Sequence, residues 1–94
     1  YPTEYNDCPK RTFLALCDAG LIKGISPGPY TASTLNKRYA TEAVNLLKSN
    51  PALANTTTPV KLWNNVLSSM GIGKKKHNQQ MNVILALWDR GYIR

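Results

Sequence analysis

Apolar residues recur at three- and four-residue spacings in four blocks of this chain, and each block has a recognisable start or stop. The first opens at Cys8-Pro9, where proline suits a first helical turn. Phe13, Leu16, Cys17 and Gly20 fall on one face, with Leu14 and Leu21 widening it. Gly20 is a left-handed stop, and Leu21 folds back as its apolar contact. The second block starts near Ser33 or Thr34 and runs to about Ser49. Its stripe is Leu35, Tyr39, Ala43, Leu46 and Leu47, with Ala40 and Val44 beside it, and Asn50-Pro51 ends it. Thr58 caps the third block, with Pro59 in its first turn. Val60, Trp63, Leu67 and Met70 form a seam that Leu62 and Val66 broaden, and Gly71 ends it. The fourth is capped by His77 or Asn78. Met81, Ile84, Leu85 and Trp88 form its stripe, and Gly91 stops it with Tyr92 and Ile93 packing behind.

The connections read differently. Residues 1–7 form an extended lead-in. Two glycines and two prolines between Lys23 and Ala32 forbid regular helix there, and Ile25 and Tyr30 supply anchors that order the loop. Residues 51–57 make a short link anchored by Leu53. Leu21–Ile25 is extended and supports at most a stray bridge. The expected fold is all-α, with four main helices in one domain spanning 1–94.

Two of the helix ends are alike. Residues 13–23, FLALCDAGLIK, align without a gap on 84–94, ILALWDRGYIR, with six of eleven positions identical and a basic residue closing both. Convergence on leucine stripes and a terminal glycine explains much of this. It does not explain Asp18 and Asp89, because an acid in a last helical turn opposes the helix dipole. The expectation is a partial internal repeat in which Asp18, Gly20, Asp89 and Gly91 build equivalent turns. Each carboxylate should accept a nearby backbone N–H or face a basic side chain such as Lys23 or Arg94. A second unit of three helices would then follow the last helix of a first unit, whose two earlier helices would lie upstream of Tyr1, lost by truncation or proteolysis, or be absent from this protein. Such a fragment favours an exposed apolar face and a homodimer.

Composition narrows the function classes. The 94 residues are 43% hydrophobic, enough for a core, and no apolar run is long enough to span a membrane. Two cysteines are too few for a disulfide-stapled secreted fold, and no charged-then-apolar leader marks a signal peptide, although a chain that opens at Tyr1 rather than Met leaves room for a leader that was removed. A cytoplasmic location follows as the expectation. The net charge is +7, most of it in residues 51–94, and no acid lies between Glu42 and Asp89. That half attracts polyanions or acidic protein faces, or simply keeps the protein soluble.

One resemblance spans most of residues 8–94. Cys8-Pro9-Lys10, Phe13-Leu14, Leu16-Cys17 and Gly20 to Ile25 carry its first part. Tyr30-Thr31, Asn36-Lys37, Tyr39-Ala40, Ala43-Val44 and Leu46-Leu47 continue it, followed by Leu62-Trp63 and Lys76-His77-Asn78 with Gln80-Met81 and Val83. The chain resembles a family of small bacterial proteins of unknown function, of the integron gene-cassette kind. The resemblance implies an all-helical domain, often with additional N-terminal helices, and assigns no catalytic or binding residue.

Candidate chemistry is sparse. Lys74, Lys75, Lys76 and His77 stand where the fourth helix begins, so an anion or nucleic-acid backbone fits there, as does a merely solvated loop. The segment lacks the spacing of a P-loop. Trp63 and Trp88 lie on apolar stripes and read as core. Tyr1, Tyr5 and Tyr30 would form a contact patch if exposed together. Cys8, at a helix N-terminus, has the setting of a lowered thiol pKa, but no acid–base partner accompanies it. Cys8 and Cys17 stand roughly 13 Å apart along one helix, too far for a bridge. His77 has no second ligand at metal spacing. The expectation is a non-enzymatic interaction domain without metal or cofactor, protein-binding or self-associating. The alternative is nucleic-acid binding through the basic C-terminal half, whose leucine-rich helix end resembles those of winged helix-turn-helix units. An enzyme would need a polar pocket gathering Asp18, Asp89 and His77.

Overall fold

A computed structural model describes residues 8–31, 34–73, 75 and 79–94, the side chains of Cys8 and Pro9 excepted. Five helices follow one another: α1 (Cys8–Asp18), α2 (Thr34–Ser49), α3 (Leu53–Thr56), α4 (Pro59–Ser69) and α5 (Gln80–Asp89). The fold is all-α. Four helices are the expected ones, and α3 is a single turn within the link at 51–57, with Leu53 half-buried as its anchor. No strand forms among the described residues; Ile22 and Ile93 make one isolated antiparallel bridge.

Starts and stops follow local chemistry. Thr58 caps α4, its side chain accepting the Lys61 backbone N–H at 3.3 Å, and Pro59 occupies the first turn. The start of α5 differs from expectation. His77 and Asn78 lie outside the described residues, and the residue before the helix is Gln79, in the left-handed region at φ 69° with no side-chain cap bond. A physical reason lies upstream. The Trp63 indole N–H donates to the Lys75 carbonyl at 2.8 Å, so the chain is pinned to α4 shortly before it must turn into α5.

The core draws on all four long helices. Ala15, Leu16 and Cys17 of α1 meet Tyr39, Ala40, Ala43, Val44 and Leu47 of α2, Leu62, Trp63, Val66 and Leu67 of α4, and Met81 and Ile84 of α5. Periodicity located these stripes but misplaced some edges. Leu35 is 40% exposed and Val60 57%, each in the first turn of its helix, where the chain has not yet come over the core. Leu62 and Val66, expected only to widen the seam of α4, are fully buried. Trp63 is core, whereas Trp88 is half-buried. Thr12 is buried on α1, and its hydroxyl has no hydrogen-bond partner.

α1 and α5 end in the same turn. Gly20 N–H donates to the Cys17 carbonyl at 3.0 Å and Leu21 N–H to the Leu16 carbonyl at 2.9 Å. Seventy-one residues on, Gly91 N–H donates to Trp88 and Tyr92 N–H to Leu87, both at 3.0 Å. The glycine φ angles are +74° and +75°. This turn alone is not diagnostic, since Gly71 and Ile72 close α4 with the same pair of bonds. The reciprocal bonds that follow are those of any antiparallel bridge, and here the bridge joins the aligned residues Ile22 and Ile93. Lys23 N–H donates to the Tyr92 carbonyl at 2.8 Å, and Arg94 N–H donates to the Leu21 carbonyl at 2.9 Å. Each partner of one bond is the 71-residue counterpart of a partner in the other, so the segments clasp about a local pseudo-two-fold axis. Ile22 and Ile93 are buried between them. Tyr92, expected to pack, is half-exposed and contributes its backbone instead.

The two turns predict unequal tolerance. A Cβ at Gly91 meets nothing within 4 Å, whereas one at Gly20 lies 2.9 Å from Pro27 Cγ. Gly91→Ala should lose about 1 kcal/mol to left-handed strain, a Tm drop of about 4–8 °C. Gly20→Ala should lose clearly more, because the 23–31 loop must also shift. Thermal unfolding of both variants checks the order, and equal losses would show that Pro27 gives way freely.

Candidate functional site

The paired helix ends carry the two carboxylates singled out by the repeat, and their surroundings differ. Asp18 Oδ2 accepts the Thr31 backbone N–H at 3.3 Å, and Lys37 Nζ lies 3.6 Å from Oδ1. Thr31 stands just ahead of α2, and Lys37 is the fourth residue of that helix. α2 has no acid in its own first turn. Asp18 therefore supplies the negative charge that the positive N-terminal end of α2 favours. Asp18 thus accepts a backbone N–H beyond Gly20, from Thr31 ahead of α2, and its basic partner is Lys37 of α2 rather than Lys23. Asp89 is exposed and has no hydrogen-bond or ion-pair partner among the described residues. The backbone turns match through the glycines, but the two carboxylates are not used alike. No described helix follows α5 to use Asp89 as α2 uses Asp18.

The same difference appears on the helix faces. Thr12, Ala15 and Leu16 of α1 are buried, while their counterparts Val83, Ala86 and Leu87 on α5 are half-buried, exposed and half-buried. α1 packs on α2 and α5, whereas α5 packs on α1, α2, α3 and α4. α5 directs Gln80, Met81 and Ile84 into the core, and the α1 counterparts of the last two, Lys10 and Phe13, are exposed and half-buried. Each helix of the clasp thus buries most deeply the positions that the other buries less. Of Val83, Ala86 and Leu87, Ala86 alone is exposed, while Leu87 packs against the core and Val83 is half-buried, with Tyr92 half-exposed beyond the helix end.

Lys75, the described member of the basic run, is engaged within the fold. Lys75 Nζ donates to the Tyr39 hydroxyl at 2.9 Å and stands 5.4 Å from that ring's centre. Tyr39 in turn meets Trp63 edge-on, with ring centres 4.8 Å apart. Together with the Trp63 bond to its carbonyl, this makes Lys75 a clamp that ties its loop to α2 and α4. The aromatic pair contributes about 0.5–1.5 kcal/mol beyond burial. Lys74, Lys76 and His77 lie outside the described residues, as do Tyr1 and Tyr5. Tyr30 is 44% exposed, its hydroxyl donating to the Ser26 carbonyl at 2.9 Å.

An open cleft of about 540 Å³ lies where α1, α2 and α4 meet, lined by Asp18, Lys37, Arg38, Glu42 and Met70 among others. Its acids are already engaged: Asp18 by Lys37 and Thr31, Glu42 by the Ser69 hydroxyl. The cleft gathers Asp18 but not Asp89, so it is not the pocket that an enzymatic reading required. Cys17 is buried with a free thiol, and burial pushes that thiol up, partly opposed by its backbone hydrogen bond. The side chain of Cys8 lies outside the described residues, although α1 does begin at Cys8. No group of three or more described His, Cys, Asp or Glu side chains is placed to hold a metal ion. No described helix is long and apolar enough to cross a membrane.

A family model matches residues 3–94 of the chain. The chain belongs to that family, a family of unknown function (DUF6979). No curated protein and no solved structure matches it. The family match covers both copies of the clasped segment, α5 and the loop held by Lys75.

The unequal carboxylates predict unequal losses. Asp18→Asn should cost about 1 kcal/mol, the scale of one hydrogen bond with charge assistance. Asp89→Asn should change stability by less than about 0.5 kcal/mol, in the direction of a gain, since the acid opposes the α5 dipole. Urea unfolding of both variants checks this, and equal losses would contradict the assignment of Asp18 to the start of α2.

Proposed function

We propose that the chain is a small non-enzymatic interaction domain, protein-binding or self-associating, whose contact surface is the flank of α5 around Ala86. One observation carries the reading. Seven of the ten α5 residues are apolar, and the core takes Met81, Ile84, Leu85, Leu87 and Trp88, leaving Val83 half-buried and Ala86 exposed. A helix that is apolar all round is at home buried. Ala86 in the centre of that flank is small and lets another backbone come close. The buried free thiol of Cys17 suits a reducing compartment, in keeping with a cytoplasmic location.

A flank made for protein contact also touches its own copies at high concentration. Amide NMR signals of Val83, Ala86, Leu87 and Tyr92 should shift as the protein is concentrated, and Ala86→Asp should remove the shifts. Ala86 is exposed, so that change costs the fold little. Concentration-independent signals at these positions would count against the reading.

A second reading has its own support. Lys10, Lys23, Lys48, Lys61, Arg90 and Arg94 are exposed, while Asp89 is the single fully exposed acid among the described residues. Such a surface suits a polyanion. If duplex DNA is the partner, affinity should fall steeply with salt, and neutral replacement of Lys74 and Lys76 should weaken it. Absence of binding at low salt removes this reading.

A further inference from the structure

We infer that the cleft between α1, α2 and α4 binds a small α-amino acid with an apolar side chain, its carboxylate on Arg38 and its ammonium on Glu42. The inference uses no part of α5 and stands apart from the contact surface proposed there. The cleft is about 540 Å³, within the roughly 300–1,000 Å³ of sites that take small molecules. α2 supplies one wall through Thr34, Lys37, Arg38, Thr41 and Glu42, which recur at three- and four-residue spacings and share one face. α1 adds Asp18. Ala19 and Met70, the latter at the end of α4, add apolar surface.

Two acids and two bases line the cleft, so a simple anion or cation entering it meets attraction and repulsion together. Asp18 and Lys37 satisfy each other at 3.6 Å. Arg38 and Glu42 do not. Arg38 is exposed and has no hydrogen-bond or ion-pair partner among the described residues. Glu42 is half-buried and accepts the neutral Ser69 hydroxyl, and no cation pairs with it among the described residues. The two stand one helical turn apart, which puts their Cβ atoms about 5–6 Å from each other. Their failure to pair has a physical reason. A base ahead of an acid is the weaker order along a helix, and Ser69 holds the carboxylate towards α4. An uncompensated cation and anion this close fit a ligand that carries both charges on one carbon and no net charge. The planar Arg38 guanidinium suits a carboxylate through two parallel bonds. Glu42 suits an ammonium, and the Thr41 hydroxyl beside it offers a further acceptor. Met70, half-buried, is an adaptable apolar wall for the ligand's side chain.

The test titrates L-leucine into the full isotope-labelled chain and follows the backbone amide signals. Saturable shifts should appear at Ala19, Arg38, Thr41, Glu42 and Met70, with a Kd of roughly 1 mM, the scale of so small a ligand. Two analogues separate the charges: isocaproate lacks the ammonium of leucine, and isoamylamine lacks its carboxylate. Each should bind at least about tenfold more weakly, the loss of one charge-assisted hydrogen bond. Arg38→Gln should weaken leucine about tenfold without weakening isoamylamine. Glu42→Gln keeps an acceptor for Ser69 and should weaken leucine by a similar factor without weakening isocaproate. Glycine, with nothing to lay on Met70, should bind more weakly than leucine. Absence of saturable shifts at tens of millimolar leucine would overturn the inference. So would equal binding of isocaproate, which would make the cleft an anion site, equal binding of glycine, or unchanged leucine affinity in Arg38→Gln. Shifts confined to α5 would place leucine on the apolar surface there and would overturn it as well.

Discussion

Two backbone hydrogen bonds hold segments of the chain that stand about seventy residues apart, and the packing of every long helix is arranged around them. In water such bonds exchange for bonds to solvent and contribute only about 1 kcal/mol each. Here Ile22 and Ile93 are buried at the bridge, so the clasp and the apolar contacts reinforce one another. The clasp fixes the ends of α1 and α5 side by side. α2, leaving α1 through the 23–31 loop, packs across both, and α4 packs on α2 and α5. Closing so long a loop costs entropy that grows only slowly with its length. The helices between the clasped segments therefore supply the compensating burial.

Much of this was legible because the relevant signals are local. Pro9 and Pro59 sit where a helix can begin, and Gly20, Gly71 and Gly91 sit where one ends. The chain folds with those punctuation marks in use. What escaped the sequence depends on neighbours far along the chain. Periodicity gives the direction of a stripe but not its edges, so Leu35 and Val60 were assigned to a core that begins one turn later. The identity of Asp18 and Asp89 is a sequence fact, but the Thr31 and Lys37 that satisfy one of them are reached only by the path of the loop.

The basic run shows the same limit from the other direction. A string of lysines before a helix reads as a solvated or anion-seeking loop, since lysine is strongly hydrated and has a flexible stem. Lys75 is exposed as a residue, yet its ammonium is donated to the Tyr39 hydroxyl and its carbonyl accepts from Trp63. The spacing of Tyr39, Trp63 and Lys75 along the chain carries no recognisable signature. Their association follows from α2 and α4 lying together, and it consumes one of the cations on which a nucleic-acid site would draw. Positive charge on this protein is therefore not uniformly available.

Pseudo-symmetry in the clasp and asymmetry around it belong to one physical situation. Identical turns need only local residues, and both copies have them. Identical burial needs identical neighbours, which the two copies lack. α1 packs on α2 and α5 and buries Thr12, Ala15 and Leu16, whereas α5 packs on four helices and buries Gln80, Met81 and Ile84 instead. Chemistry follows this difference unevenly. Val83 and Leu87 keep apolar character at the less buried positions of α5, while Thr12 places an unpartnered hydroxyl on the covered flank of α1. A solitary solvent-facing helix would be expected to carry polar residues at 83, 86 and 87, because nothing in the turn requires apolar ones. Leu87 instead packs against the core and Val83 is half-buried, so the apolar character of both answers to the fold itself, and Ala86 alone brings a small apolar side chain to the surface.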